Sequence, residues 1–285
     1  MYFGAHISAA GGADNVPERA AELGCEVVQF FSRSPQGGPA PELTPRIIER
    51  FKTEMRNLNL RAAYIHTPYF INFASQNNHI REGTIQIIRG ELERGTLLGV
   101  EAVMTHLGSA KTIGLEKGII MTIDGMVEIL KDYRGSTKLL IEIAAGSGET
   151  LGDTFEELNA VITGVEKKLR KKDVLNVCLD TQHLFASGYD IRTPQALTKT
   201  INQFDQVIGL KKLKLFHGND SKKDLGSHVD RHENIGKGKL GKKTFAAIIA
   251  EPRLKNTNLI LETPRDDKGT EIKKELRLLK QLRGT

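Results

Sequence analysis

Eight short apolar runs recur along the chain, each followed by a stretch of helical periodicity, and this alternation constrains the fold more than any other feature. The runs are YFGAHI (2–7), EVVQFF (26–31), AAYIHT (62–67), AVMTHL (102–107), LLIEIA (139–144), LNVCLD (175–180), LKLFHG (213–218) and LILETP (259–264). Most are continuously apolar, as expected of parallel strands covered on both faces. Between them lie helix signals. Thr44-Pro45 and Thr193-Pro194 read as N-caps with proline in the first turn. Ile47, Ile48, Phe51, Met55 and Leu58 share one helical face, and Ile272, Leu276, Leu279 and Leu282 form a stripe on the last helix. Eight strands alternating with eight helices predict a (β/α)8 TIM barrel; an open doubly wound sheet is the alternative, because alternation alone does not prove closure. The 285 residues suit one large domain, and no linker or low-complexity stretch divides them, so residues 1–285 are expected to form a single barrel.

Composition narrows the class. Hydrophobic residues make up 39% and charged residues 27%, the balance of a soluble globular protein. No apolar run approaches the roughly 18 residues of a membrane span. The opening MYFGAHISAAGG lacks a basic region followed by an apolar stretch, so no export signal is expected. Cys25 and Cys178 sit inside apolar runs and read as buried thiols without a disulfide framework, which makes a cytoplasmic location the expectation. The net charge of +6 favours an anionic partner without specifying one.

The last polar residue of six consecutive runs can bind a metal: His66, His106, Glu142, Asp180, His217 and Glu262. His183, three residues past Asp180, and the pair Asp230 and His232 add three more. In a barrel these carboxylates converge on the C-terminal mouth, where loops build active sites. There they would repel one another unless cations compensate them, and few basic residues lie near the strand ends. Imidazole with carboxylate suits zinc. Nine ligands exceed one tetrahedral shell and suit three ions with bridging carboxylates, an arrangement fitted to phosphoester hydrolysis. Two insertions follow strands at the same mouth, residues 32–41 and 218–241.

The motifs GAHISAAGG (4–12), IHTPY (65–69), THLGS (105–109), IEIAAGSG (141–148), LDTQHLFASGYD (179–190), FHGNDSK (216–222), GSHVDRHENIGKG (226–238) and LETP (261–264) run nearly the whole chain in order. In these the chain resembles the endonuclease IV family, the metal-dependent abasic-site endonucleases. The resemblance implies three zinc ions, with manganese able to substitute. His66 and His106 would hold the first, with Glu142 bridging it to the second. Asp180, His217 and Glu262 would complete the second, and His183, Asp230 and His232 would hold the third. It further implies hydrolysis of double-stranded DNA 5′ to an abasic sugar, leaving a 3′-hydroxyl and a 5′-deoxyribose phosphate, with Glu142, Asp180 and Glu262 as the catalytic carboxylates. A monomer is expected. His6 belongs to a matching motif but not to the implied ligand set, and reads as structural or as a supporting residue. His79 and His228 are not expected to bind metal.

The DNA contacts are less uniform. The family's loop after the second strand carries an Asn-x-Arg-x-Trp pattern, whereas this chain has Ser34-Pro-Gln-Gly-Gly38, with Arg33 displaced. Tyr69 and Phe70 match the family's other insertion element. Lys222, Lys223, Arg231, Lys237 and Lys239, beside the third triad, are the expected phosphate contacts. Lys167, Lys168, Arg170, Lys171 and Lys172 precede a strand and belong to the opposite end of the barrel. Two other readings compete: a metal-dependent sugar isomerase or epimerase of the xylose isomerase-like kind, which would not need the third triad, and a DNA-binding module without catalysis, which would have no use for nine ligands.

Overall fold

The computed structural model describes residues 1–264, 266 and 268–284. In chain order the strands are β1 (Phe3–Ile7), β2 (Val27–Phe30), β3 (Ala63–His66), β4 (Ala102–Thr105), β5 (Lys138–Glu142), β6 (Leu175–Asp180), β7 (Leu213–Gly218), β8 (Asp220–Ser221), β9 (His232–Glu233) and β10 (Asn258–Leu261). The helices are α1 (Val16–Leu23), α2 (Pro45–Asn57), α3 (Asn78–Leu98), α4 (Leu115–Leu130), α5 (Phe155–Leu169), α6 (Thr181–Ala186), α7 (Pro194–Val207), α8 (Lys242–Ala250) and α9 (Thr270–Arg283). β1 to β7 and β10 close into a parallel barrel in the order β1-β10-β7-β6-β5-β4-β3-β2, so the barrel and not the open sheet is the architecture. β8 and β9 form a separate antiparallel pair inside the 218–241 insertion.

The expected caps are in place. Thr44 Oγ1 accepts from the Ile47 amide at 3.4 Å, and Thr193 Oγ1 accepts from the Ala196 amide at 3.1 Å. Gly4 lets β1 and β2 approach, because a Cβ there would lie 1.8 Å from the Val27 carbonyl oxygen.

The barrel interior is layered. Val27, Tyr64, Ala102, Met104, Leu140, Cys178, Leu215 and Ile260 form a buried apolar cluster of their own, apart from the larger core between barrel and helices. Side chains two residues apart share a strand face. The residue two places beyond Val27, Tyr64, Met104, Leu140, Cys178, Leu215 or Ile260 is therefore the next one up: Gln29, His66, His106, Glu142, Asp180, His217 and Glu262. His6, level with Gln29 in the β1–β2 register, completes this layer. A register shift between Val177 and Cys178 brings Asp180 level with His217 across β6 and β7. Irregularities of this kind commonly re-aim side chains beside active sites.

α9 closes the ring by packing on β1 and α8, burying Ile272, Leu276 and Leu279; Leu282, the last member of the predicted stripe, is only partly buried. No helix among the described residues is long and apolar enough to cross a membrane. Leu276 is 1% exposed, so Leu276→Ala should cost about 2–5 kcal/mol in urea unfolding of the metal-loaded protein. A loss under about 1 kcal/mol would show that the α9 seam does not help hold the barrel closed.

Candidate metal centre

The top layer of the barrel brings all nine expected ligands to one mouth. Among the described residues, four groups have ligand atoms within 4.8 Å of one another, and three of them are built from the expected residues: His66/His106/Glu142, Glu142/Asp180/His217/Glu262 and Asp180/His183/His232. Glu142 belongs to the first two and Asp180 to the last two. Asp230 joins the third, its carboxylate oxygens 3.4 Å from His183 Nε2 and 3.3 Å from His232 Nε2. The fourth group substitutes Cys178 beside Glu142 and His217. Both cysteines are free and buried, as expected, and burial pushes the Cys178 thiol up to about 12.

Two observations test whether these residues fit metal ions. First, the spacing suits a coordination shell. His66 Nε2 and His106 Nε2 each lie 3.5 Å from Glu142 Oε2, and His183 Nε2 lies 3.5 Å from His232 Nε2. Tetrahedral ligands about 2.05 Å from a zinc ion stand about 3.3 Å apart, so these contacts match the edges of such a shell. Glu142 Oε2 is fully buried with no hydrogen-bond partner among the described residues, a costly state for a carboxylate oxygen without a cation. Second, the imidazoles are held as metal ligands usually are. His66 Nδ1 donates to the Thr67 carbonyl at 2.6 Å, His183 Nδ1 to the Ile143 carbonyl at 2.9 Å, and His232 Nδ1 to the Glu262 carbonyl at 3.3 Å. A carbonyl can only accept, so the proton sits on Nδ1 and the lone pair of Nε2 points into the cluster.

Local structure explains how ligands from the insertion reach the barrel. Asp180 caps α6, its Oδ1 accepting from the amides of Gln182 (2.6 Å) and His183 (3.0 Å), which turns His183 inward. The end of α6 then docks the loop. Phe185 O accepts from Gly226 N, Ala186 O from His228 N, and Val229 O from Gln182 Nε2, each at 3.0 Å. Asp220 is fully buried and accepts from the backbone amides of Ser221, Gly236, Leu240 and Gly241, folding the rest of the insertion. His228 lies in this loop apart from the clusters, and His79 is exposed at the start of α3.

Several supporting residues were not singled out from sequence. Gln29 links His6, His217 and Glu262. Asn219 donates from Nδ2 to Asp180 Oδ2 and accepts from the Glu262 amide. Phe31 packs at ring distances of 4.3 Å from His6, 5.5 Å from His66 and 5.2 Å from Tyr69. The available signal was the period of two: Gln29 is the polar residue within EVVQFF, in register with His6.

The mouth opens into a cavity of about 750 Å3, lined by His66, His106, His183, Asp230, His232 and Glu262 on one side and by Tyr69, Phe70, Asn72 and Ser109 on another. Tyr69 and Phe70 are 69% and 44% exposed, so they stand at the rim and are not packed away. The five basic candidates are exposed on the insertion and outside the cavity lining. Lys237 pairs with Glu271 at 2.5 Å, Lys239 with Asp224 at 3.5 Å and Lys222 with Glu233 at 4.0 Å. Arg231 Nη1 donates to the Asp230 carbonyl, and Lys223 has no ion pair among the described residues. Arg33 turns inward to Glu91 at 2.6 Å, and Arg94 donates to Ser32 and to the Pro41 carbonyl, pinning both ends of the 32–41 loop to α3.

The comparisons with known proteins agree with this geometry. A family model described as xylose isomerase-like TIM barrel matches residues 17–282. A protein of Geotalea daltonii named probable endonuclease 4 is 38% identical over 284 residues, covering 99% of this chain and 98% of its own length. The chain belongs to the endonuclease IV family. The crystal structure of endonuclease IV from Thermus thermophilus superposes with a TM-score of 0.86 at 32% identity, covering 99% of this chain and 98% of its own. A D-tagatose 3-epimerase-like protein superposes with a TM-score of 0.71 at 18% identity, covering 100% and 98%, a likeness of fold alone. The endonuclease IV family is metal-dependent, in keeping with the clusters.

Without metal, protons take the place of cations. Burial opposes charge on His183, but Asp180, Asp230 and Glu142 outweigh it and push the imidazole up to about 10. Burial likewise opposes charge on Asp230, yet His183 and His232 hold it down at about 2. The raised His183 stabilises the fold fully below its ordinary 6.5, and that contribution is lost as pH rises through about 10. The depressed Asp230 contributes above its ordinary 3.8 and is lost as pH falls through about 2. Chelator-stripped protein should therefore melt at progressively lower temperature as pH rises from 6.5 toward 10, while metal-loaded protein should not. Parallel declines in differential scanning fluorimetry with and without metal would show that these protons do not substitute for cations.

Proposed function

We propose that the chain is a phosphodiester hydrolase that incises double-stranded DNA on the 5′ side of abasic sites, leaving a 3′-hydroxyl and a 5′-deoxyribose phosphate, as in base excision repair. The observation that carries this reading is the third ligand group, His183/Asp230/His232, joined through Asp180 to the other two. Among the described residues no lysine or arginine lines the cavity to meet a phosphate. Metal ions bound there supply positive charge for the phosphate oxygens and lower the pKa of water, the two requirements of phosphodiester hydrolysis at neutral pH.

The chain's residues divide the work. His66, His106 and Glu142 would hold one ion, Glu142, Asp180, His217 and Glu262 the next, and His183, Asp230, His232 and Asp180 the third. Zinc suits this donor set, and manganese is the alternative ion. Glu142, Asp180 and Glu262 would hold the ions as carboxylate ligands and offset part of their charge. Tyr69 and Phe70 stand at the rim, where aromatic side chains can occupy the space left when a lesion is turned out of the stack. Lys223 and Arg231 are the basic residues best placed for phosphates; Lys222, Lys237 and Lys239 would first have to leave acidic neighbours. The chain acts as one barrel domain and as a monomer. A sugar epimerase reading accounts for the barrel and a two-metal centre but gives the third group no task.

The deciding experiment uses a labelled duplex with one tetrahydrofuran abasic analogue, which blocks β-elimination. A cut 5′ to the analogue ending in a 3′-hydroxyl, abolished by EDTA, is the expected result. No cut by protein carrying its full metal complement would overturn the reading. Glu142→Ala should lower incision at least about a thousandfold, equivalent to about 4 kcal/mol of barrel-mouth electrostatics, and should lower metal content. Lys168→Ala, at the opposite end beside Asp124, should change neither. Because Arg33 is committed to Glu91, preference for abasic over intact duplex should be weaker than in a variant carrying Asn-x-Arg-x-Trp at positions 34–38. Equal discrimination by the two proteins would remove the loop from the account of selectivity.

A further inference from the structure

Two residues of the barrel's top layer are not in the ligand set, His6 and Gln29. Gln29 is fully buried, so no water can replace what its amide does. Its Oε1 lies 2.8 Å from His217 Nε2. Its Nε2 lies 3.0 Å from His6 Nδ1 and donates as well to Glu262 Oε1. Reversing the amide would set Oε1 against the Glu262 carboxylate and Nε2 against the donor nitrogen of His217, so the orientation is fixed by its neighbours. With Oε1 as acceptor, the His217 proton sits on Nε2. Nδ1 then faces Glu142 Oε1 at 2.7 Å and Glu262 Oε2 at 3.2 Å, sharing a proton with Glu142 in the chain alone and free to present its lone pair there once an ion takes that proton's place. His217 Nε2 also lies 3.1 Å from Met104 Sδ, a weak acceptor.

We propose that Gln29 is a positioning residue for the second metal position, where one neutral amide fixes the ring nitrogen His217 presents and the direction of the Glu262 carboxylate. The inference rests on reading the cluster as a metal centre. Two of the four ligands of that position thus lean on one side chain, whereas His66, His183 and His232 are each oriented by a backbone carbonyl. Backbone acceptors survive any substitution. The second position therefore depends, for two of its ligands at once, on the identity of a single side chain from outside the ligand set.

Gln29→Met keeps the length and removes the amide. Zinc-loaded wild type and Q29M would be titrated with a competing chelator while released zinc is counted. In Q29M one ion should leave at roughly 10–100-fold lower chelator concentration, and the other two should leave as in wild type. Histidine 15N NMR of the zinc-loaded proteins gives a readout that packing alone would not move. Wild type should show His217 protonated on Nε2, and Q29M should lose that fixed tautomer. Gln29→Glu keeps an acceptor for His217 but repels Glu262; it should retain the tautomer and still release one ion early, which holds the test open should Q29M fold poorly. Superimposable chelator curves for wild type and Q29M, or equal weakening of all three ions, would overturn the proposal. Wild-type protein that binds no zinc at all would instead overturn the metal-centre reading beneath it.

Discussion

Three carboxylates, the fully buried Glu142 and Asp180 and the half-buried Glu262, point into one end of a closed barrel, and the rest of the structure is arranged around the cost of holding them there. Each lies within reach of another across a shared ligand group, and among the described residues no lysine or arginine lines the cavity. Like charges so placed destabilise one another and the fold unless cations intervene. In the chain alone the histidines take up that role. Burial favours neutral Glu142, but His217 and His106 hold it well below the usual carboxylate range. Burial also disfavours charge on His217, and Glu142 with Glu262 hold it well above its ordinary value. Protons and metal ions thus compete for the same nitrogen lone pairs, and loading the site must expel protons.

Such a cluster needs a rigid floor. The apolar interior layer beneath it, with Tyr64, Met104 and Leu215, fills the barrel so that strand ends cannot slide to relieve repulsion. The same layer separates the polar mouth from the opposite end of the barrel. Stability comes from elsewhere, chiefly the extended core between strands and helices, including Phe30, Phe51, Phe155, Phe204 and Phe245. That division lets the mouth carry residues that weaken the metal-free fold without endangering closure.

The fold and the candidate ligand positions at the mouth were legible for one reason: both are periodic. Continuous apolar runs mark parallel strands, and the polar residue ending each run marks the barrel mouth. His66, His106, Glu142, Asp180, His217 and Glu262 could therefore be named without coordinates. Gln29 was passed over because it is not a metal ligand type, although it occupies the same layer as His66 and Glu142. Asp220 was hidden for a different reason. Its role is to collect amides from Gly236, Leu240 and Gly241, and nothing in a sequence announces which loop will fold back on a given carboxylate. Basic residues were harder still, because Lys237 and Lys239 find acidic partners on the surface that no spacing rule supplies. Arg33 could be seen to be out of register, but its burial against Glu91 depends on the approach of α3.

The supporting side chains share a chemistry that follows from the charge problem. Gln29, Asn219 and Gln182 are all fully buried, and each carries a carboxamide. A lysine or arginine in their place would compete with the metal ions for the carboxylates, and an acid would add to the repulsion. A hydroxyl has a single proton to give and a short reach. An amide donates and accepts at once with no net charge, so Gln29 can accept from His217 while donating to Glu262, and Asn219 can donate to Asp180 while accepting from the Glu262 amide. The electrostatic balance of the mouth is thereby left to ligands and ions alone, and geometry is set by groups that do not enter that balance.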